Sequence, residues 1–377
     1  MNFDFNEDQY FIKNEARRFL TDRGDMKSFR DYHEQDGEYL HPLWQEIAEL
    51  GWLGVAIPEA YGGLGMSYLE LCLIAEELGR VVAPVPLSSS IYLAVEAILR
   101  CGSEEQKQQY LPGLATGETI GTMAWVNSAR DGDSVLYEHG KLYGIRHAVP
   151  HGTLANLFVV LAKNTVGESV LVITRSSAAL KSEVANAVDP SQRLARLHFD
   201  AQPAELLVAG VDADRILESV FDRAAVLFAF EQLGGAERCQ EMATEYVKER
   251  KTFNRAVGSY QAVKHTLATM YAQNELARSN AYYGAWALAS DSIELPMAAS
   301  AARISACECY EYASREGLHL HGGMGYTWEL DCHLYLKRSR DLALKLGNIR
   351  VWNEKFLART LEAMRKPDSA PSWLANC

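Results

Sequence analysis

The spacing of apolar residues changes twice along this chain, and that change settles its fold class before any single residue is considered. Up to about Glu118 the sequence reads as helices broken by Gly and Pro. Leu43 to Leu50 sets apolar side chains at helical spacing and stops at Gly51; Pro58 to Gly65 carries turn residues; another helix runs through Leu71, Ile74 and Leu78 to Gly79. Between about Thr119 and Val211, short β-rich runs such as Leu157–Leu161 and Val170–Ile173 alternate with polar breaks. From about Asp214 helical patterns return, with Val263, Leu267 and Met270 on one face and an Ala-rich stretch, Ala281 to Ala289, suited to close helix packing. This order describes a mainly α protein with a central β lobe, divided as 1–118, 119–212 and 213–377. At 377 residues the chain exceeds what a single core supports, so two or three packed lobes are expected.

Thirty-seven basic against forty-nine acidic residues give a net charge of −12, which argues against a nucleic-acid surface or an anionic-membrane binder. A local basic pocket for an anionic cofactor stays compatible with that balance. The N-terminus has acidic residues where a signal peptide would be basic, and no apolar run reaches the ~18 residues of a spanning helix. A soluble, cytoplasmic protein is the expectation. Seven cysteines, Cys72, Cys101, Cys239, Cys307, Cys309, Cys332 and Cys377, are odd in number and lack paired metal-site spacing, so buried thiols and no metal are expected.

Six stretches carry a family resemblance. Gly51-Trp52-Leu53-Gly54 through Gly65, Glu76-Glu77-Leu78-Gly79-Arg80 and Gly102 to Glu118 follow one another in the order and spacing of the acyl-CoA dehydrogenase superfamily. In the last third, Glu249-Arg250-Lys251-Thr252-Phe253 resembles the family's "ER..F" element, with Gln261 eleven residues beyond Arg250. His319-Leu320-His321-Gly322-Gly323-Met324-Gly325-Tyr326 is similar to "Q.HGG.GY", with His319 in the glutamine's place. The continuation Trp328 to Arg338 is similar to wording in dehydrogenases of bacterial steroid side-chain breakdown. The resemblance covers essentially the whole chain. It implies an N-terminal helical domain, a β-barrel-like middle domain and a C-terminal four-helix bundle. It also implies FAD, with Arg250, Phe253, Gln261, His319, Gly322 and Gly323 reaching a neighbouring subunit's cofactor. The residue types suit that role, since guanidinium pairs with phosphate through charge-assisted hydrogen bonds and glycine lets backbone approach a ligand closely.

The sequence departs from the family where a subunit would hold its own flavin ring. An ungapped alignment sets Val126 at a threonine, Ala148 at the ring-packing tryptophan and Pro150 at a threonine or serine. Valine has no hydroxyl, alanine no stacking surface and proline no N–H. The two family positions for the glutamate base fall on Leu346 and Ala224, neither of which accepts a proton. Asp222 and Glu231 are the nearby acids, read as surface or interhelix carboxylates, with a relocated base left open.

The resemblance therefore implies a noncatalytic subunit of an α2β2 acyl-CoA dehydrogenase, which completes its partner's FAD site in the α,β-desaturation of a CoA thioester. It suggests a steroid side chain as the acyl group and an electron-transfer flavoprotein as acceptor. Three alternatives stay open: a homo-oligomeric dehydrogenase with Glu231 or Asp222 as base, a structural partner that binds no FAD, and a flavin-dependent oxygenase.

Overall fold

The first helical region resolves into α1 (Glu7–Arg23), α2 (His41–Glu49), α3 (Tyr68–Arg80), α4 (Glu96–Cys101) and α5 (Glu104–Ala115). The computed structural model describes residues 5–23, 41–126, 135–207 and 212–365; Cys377 lies outside them. α2 buries Leu43, Trp44 and Ile47, the stripe its spacing calls for. α5 starts on a reciprocal cap: Gln106 N donates to Ser103 Oγ at 3.2 Å and Ser103 N donates to Gln106 Oε1 at 3.1 Å. A π-helical run, Ser88–Val95, leads into α4 with all eight residues buried.

The β-rich middle forms one eight-stranded sheet: β1 (Gly121–Ala124), β2 (Leu136–Glu138), β3 (Lys141–Pro150), β4 (Leu157–Lys163), β5 (Ser169–Arg175), β6 (Leu180–Ala185), β7 (Leu194–Pro203) and β8 (Glu205–Leu206). Its order is β6-β7-β3-β2-β4-β5-β8, with β1 parallel to β4. β4 is the continuous apolar run Leu157–Leu161 and is buried along most of its length, as befits a strand covered on both faces, whereas β6 is largely exposed. β3 bulges between Arg146 and Val149, where Ala148 takes φ +49°.

After the sheet come α6 (Ala213–Glu249), a short hairpin of β9 (Lys251–Thr252) and β10 (Arg255–Ala256), α7 (Gln261–Ala289), α8 (Leu295–Leu320), α9 (Cys332–Leu344) and α10 (Ile349–Arg365). The described residues fall into two compact units, one of 5–23, 68–83 and 225–365, the other of 41–67, 84–126, 135–207 and 212–224. In the first, paired contacts fix helix directions. Glu237 meets Arg278 while Gln240 meets Asn274, so α6 and α7 are antiparallel. Arg303 bonds the Lys345 carbonyl while Ser314 meets Ser339, so α8 and α9 are antiparallel. Ala229, Ala302 and Ala306 form a fully buried small-residue cluster that permits close approach of these helices.

Several of the charges buried in the same unit are paired. Lys13 of α1 meets Glu76 at 2.7 Å, Arg17 meets Glu77 at 2.7 Å and Arg278 meets Glu76 at 3.3 Å. Burial works to raise the Glu76 carboxyl, but Lys13 and Arg278 outweigh it and hold it below the ordinary carboxylate range. α3 and α6 pack backbone to backbone: a Cβ on Gly79 would lie 1.9 Å from the Glu231 carbonyl oxygen. The six described cysteines are all buried and free. Among the described residues no helix is long and apolar enough to cross a membrane.

Candidate functional site

The α6–α7 connection reverses the chain in two residues. Phe253 and Asn254 take φ of +51° and +61°, the paired left-handed geometry of a tight hairpin turn that usually employs Asn and Gly. A phenylalanine there is unusual, and its ring is 89% exposed. Arg250 stands at the hairpin's foot, its N–H donating to the Tyr246 carbonyl at 2.9 Å and its carbonyl accepting from Val257 N at 2.8 Å; its side chain is exposed. Gln261 opens α7, exposed, with its Nε2 donating to His265 Nε2 at 2.8 Å.

Helix direction brings the second group of sequence candidates to the same end. α6 and α8 both run toward it, and the Tyr246 ring, one turn before Arg250, lies 4.5 Å from the ring of His321, next to Gly322. His321 is buried, its Nδ1 donating to the Gly317 carbonyl at 2.7 Å. His319, Gly322 and Gly323 are exposed. A Cβ on Gly323 would meet nothing within 4 Å, so this chain's own packing does not demand glycine there; at Gly322, equally open, a φ of +60° supplies a conformational reason. The structure thus collects Arg250, Phe253, Gln261, His319, Gly322 and Gly323 at one end of the bundle. Exposed cations beside an open glycine shelf fit the diphosphate of a dinucleotide such as FAD.

The positions where a subunit would hold its own flavin belong to the other unit. Val126 follows β1 and accepts from His147 N only through its carbonyl, at 3.4 Å. Ala148 occupies the β3 bulge, and the Pro150 carbonyl accepts from Thr122 Oγ1 at 2.5 Å. None of the three presents a side-chain donor or an aromatic face.

Neither base position carries an acid, and both are buried: Ala224 within α6, and Leu346, at φ +60°, in the turn after α9. Asp222 is a buried carboxylate of α6, not a surface one. Glu231 is buried between helices and paired with Arg338 at 3.1 Å. Arg338 is 1% exposed and also donates to the carbonyls of Val82 and Ala83, each at 3.2 Å. Burial pushes the Glu231 carboxyl up, against the pull of Arg338 and Lys345. Nearby, Lys345 pairs with Asp341 at 3.3 Å. Arg303, fully buried, donates to Gln232 Oε1 at 2.6 Å and to the carbonyls of Leu342 and Lys345, clamping the turn that bears Leu346. Arg338 and Arg303 escape a reading of the sequence because each partner lies dozens of residues away; the run His333 to Arg338 is the only local hint. Glu231 is thus the counter-ion of a buried guanidinium.

Residues 6–118 match the family description "Acyl-CoA dehydrogenase, N-terminal domain", and residues 214–359 match "Acyl-CoA dehydrogenase, C-terminal domain". The chain belongs to the acyl-CoA dehydrogenase family, whose members depend on FAD. Among relatives, the acyl-CoA dehydrogenase IpdE2 of Mycobacterium tuberculosis is 31% identical over 347 residues, covering 91% of this chain and 94% of that protein. A solved Tcur3481-Tcur3483 steroid ACAD variant is 28% identical with a TM-score of 0.84, covering 95% of this chain and 99% of that one. A chain of the ChsE4-ChsE5 complex from Mycobacterium tuberculosis, 24% identical, shares the fold with a TM-score of 0.86 over 96% of this chain and 99% of that one.

Proposed function

We propose that this chain is the noncatalytic subunit of a heteromeric FAD-dependent acyl-CoA dehydrogenase, an α2β2 assembly in which a homologous chain contributes the glutamate base and the flavin-ring pocket. The observation that carries the reading is an asymmetry. Residues suited to a neighbour's cofactor are exposed together at one end of the bundle, while both base positions are buried and apolar and Glu231 is tied to Arg338. The likeness to a steroid ACAD named for two chains supports the same reading and points to a CoA thioester on a steroid side chain.

In this role Arg250 binds the cofactor's diphosphate through charge-assisted hydrogen bonds. Phe253 covers an apolar part of it, the Gln261 amide and His319 imidazole offer polar contacts, and Gly322 and Gly323 leave room for close approach. Bound FAD supplies the hydride acceptor for desaturation, with an electron-transfer flavoprotein as the onward acceptor and the cytoplasm as the place of action. The test is Arg250→Ala in the complex co-purified with a catalytic chain. The flavin-to-protein ratio is expected to fall; an unchanged ratio would remove Arg250 from the site.

A further inference from the structure

Arg17, Arg80, Arg278 and Arg338 of the bundle unit each face a carboxylate. The α6–α7 connection is built differently. Residues 248–265 hold Lys248, Arg250, Lys251, Arg255 and Lys264 against Glu249 alone, a local balance of +4 in a chain of −12. Among the described residues, none of Arg250, Lys251 and Arg255 is in an ion pair. Uncompensated cations gathered on an acidic protein attract an anion.

The hairpin's register decides which of them act together. Arg255 pairs with Thr252 and Ala256 with Lys251, and the Val257 N–H to Arg250 carbonyl bond extends the ladder by one rung. Successive residues of a strand point to opposite faces. Arg250, Thr252 and Arg255 therefore share one face of the ribbon, and Lys251 and Ala256 share the other. The Arg255 guanidinium lies 3.6 Å over the Tyr260 ring, and the Tyr260 hydroxyl donates to the Thr252 carbonyl at 3.2 Å. A guanidinium stacked on a ring is held flat while its N–H edge remains open for bidentate bonding.

We propose that Arg255 is a second phosphate-binding residue, which with Arg250 clamps a dinucleotide's diphosphate, and that Tyr260 is the positioning residue bracing it. The inference rests on the reading that this end of the bundle meets FAD. Two guanidinia on one face match the two negative charges of a diphosphate, with the Thr252 hydroxyl between them as a neutral donor.

The test uses the full chain in whichever assembly retains FAD, the lone protein or the pair co-purified with a catalytic chain. Arg255→Ala is expected to weaken FAD retention about tenfold and to reduce its loss with rising salt, with an unchanged thermal midpoint. Arg255→Lys restores the salt dependence but only part of the retention, because a lysine offers charge without the fork. Tyr260→Leu gives an intermediate loss of retention and keeps the salt dependence, which a purely structural role for the ring would not predict. Should Arg255→Ala lower the midpoint, Arg255→Gln, which keeps a planar donor over Tyr260, carries the test. Unchanged retention and unchanged salt dependence in the folded variant would overturn the second clamp. A lone chain holding one FAD per subunit would defeat the completing-subunit reading and leave Arg255 testable in that form. Loss of flavin in Arg250→Ala with none in Arg255→Ala would defeat only the present inference.

Discussion

Replacing Arg338 with methionine isolates the role assigned to Glu231. Arg338 is 1% exposed and makes hydrogen bonds to Glu231 at 3.1 Å and to the Val82 and Ala83 carbonyls at 3.2 Å. Removing one member of a buried ion pair costs about 3–5 kcal/mol, chiefly because the other charge is left unpaired in a poor solvent. Adding Glu231→Met to the variant removes that stranded charge. The remaining deficit is two carbonyls without donors, about 1–3 kcal/mol for each that stays buried and unsatisfied. The double variant is therefore expected to be more stable than Arg338→Met alone.

A pH dependence accompanies the single change. Burial already pushes the Glu231 carboxyl up, and loss of Arg338 removes the largest opposing influence. A carboxyl whose folded pKa is raised takes up a proton on folding, so the protonated state favours the native fold below the unfolded value of about 4.3. That contribution is lost as pH rises through the folded value. Arg338→Met should accordingly melt at a lower temperature at pH 8 than at pH 5, relative to the parent at each pH. Thermal unfolding of the parent, the single and the double variants across pH is the assay. A single variant as stable as the parent, or a double variant less stable than the single, would refute the counter-ion assignment and reopen Glu231 as a base.

Further outcomes follow from the same contacts. Gly323→Ala should leave the thermal midpoint unchanged, since a Cβ there meets nothing within 4 Å, yet reduce FAD content in the assembly that holds it; a lowered midpoint would mean that the glycine serves packing. Lys13 and Arg278 hold Glu76 below the ordinary carboxylate range, so the stability they supply is full above the unfolded value of about 4.3 and is lost as pH falls through the lower folded value. Lys13→Met should flatten that acid loss, read from helicity against pH, and an acid limb identical to the parent's would contradict it.

Much of the architecture was legible because the apolar period is a direct trace of burial. The run Leu157–Leu161 became a buried strand, and the stripe through Leu71, Ile74 and Leu78 became part of α3, which is buried all round from Glu70 to Gly79. The candidate end of the bundle was legible for another reason: Arg250, Phe253 and Gln261 lie within twelve residues, and His319, Gly322 and Gly323 within five. What stayed hidden depends on long-range contact. Asp222 and Glu231 look like ordinary helix carboxylates until the fold buries both and sets Arg338, 107 residues on, beside Glu231. The shared face of Arg250 and Arg255 was hidden too, because it follows from hairpin register and not from spacing along a helix. The π-helical run Ser88–Val95 had no periodic signature, since all its residues are buried.

The central claim is tested most directly by the visible absorption spectrum and native mass of the full chain, purified alone and then co-expressed with a homologous dehydrogenase chain. The account predicts a colourless protein alone and, in the co-purified assembly, flavin at about one FAD per pair of unlike chains, each FAD site using one base and one completing subunit. A yellow homo-oligomer holding one FAD per chain and oxidising an acyl-CoA would contradict it.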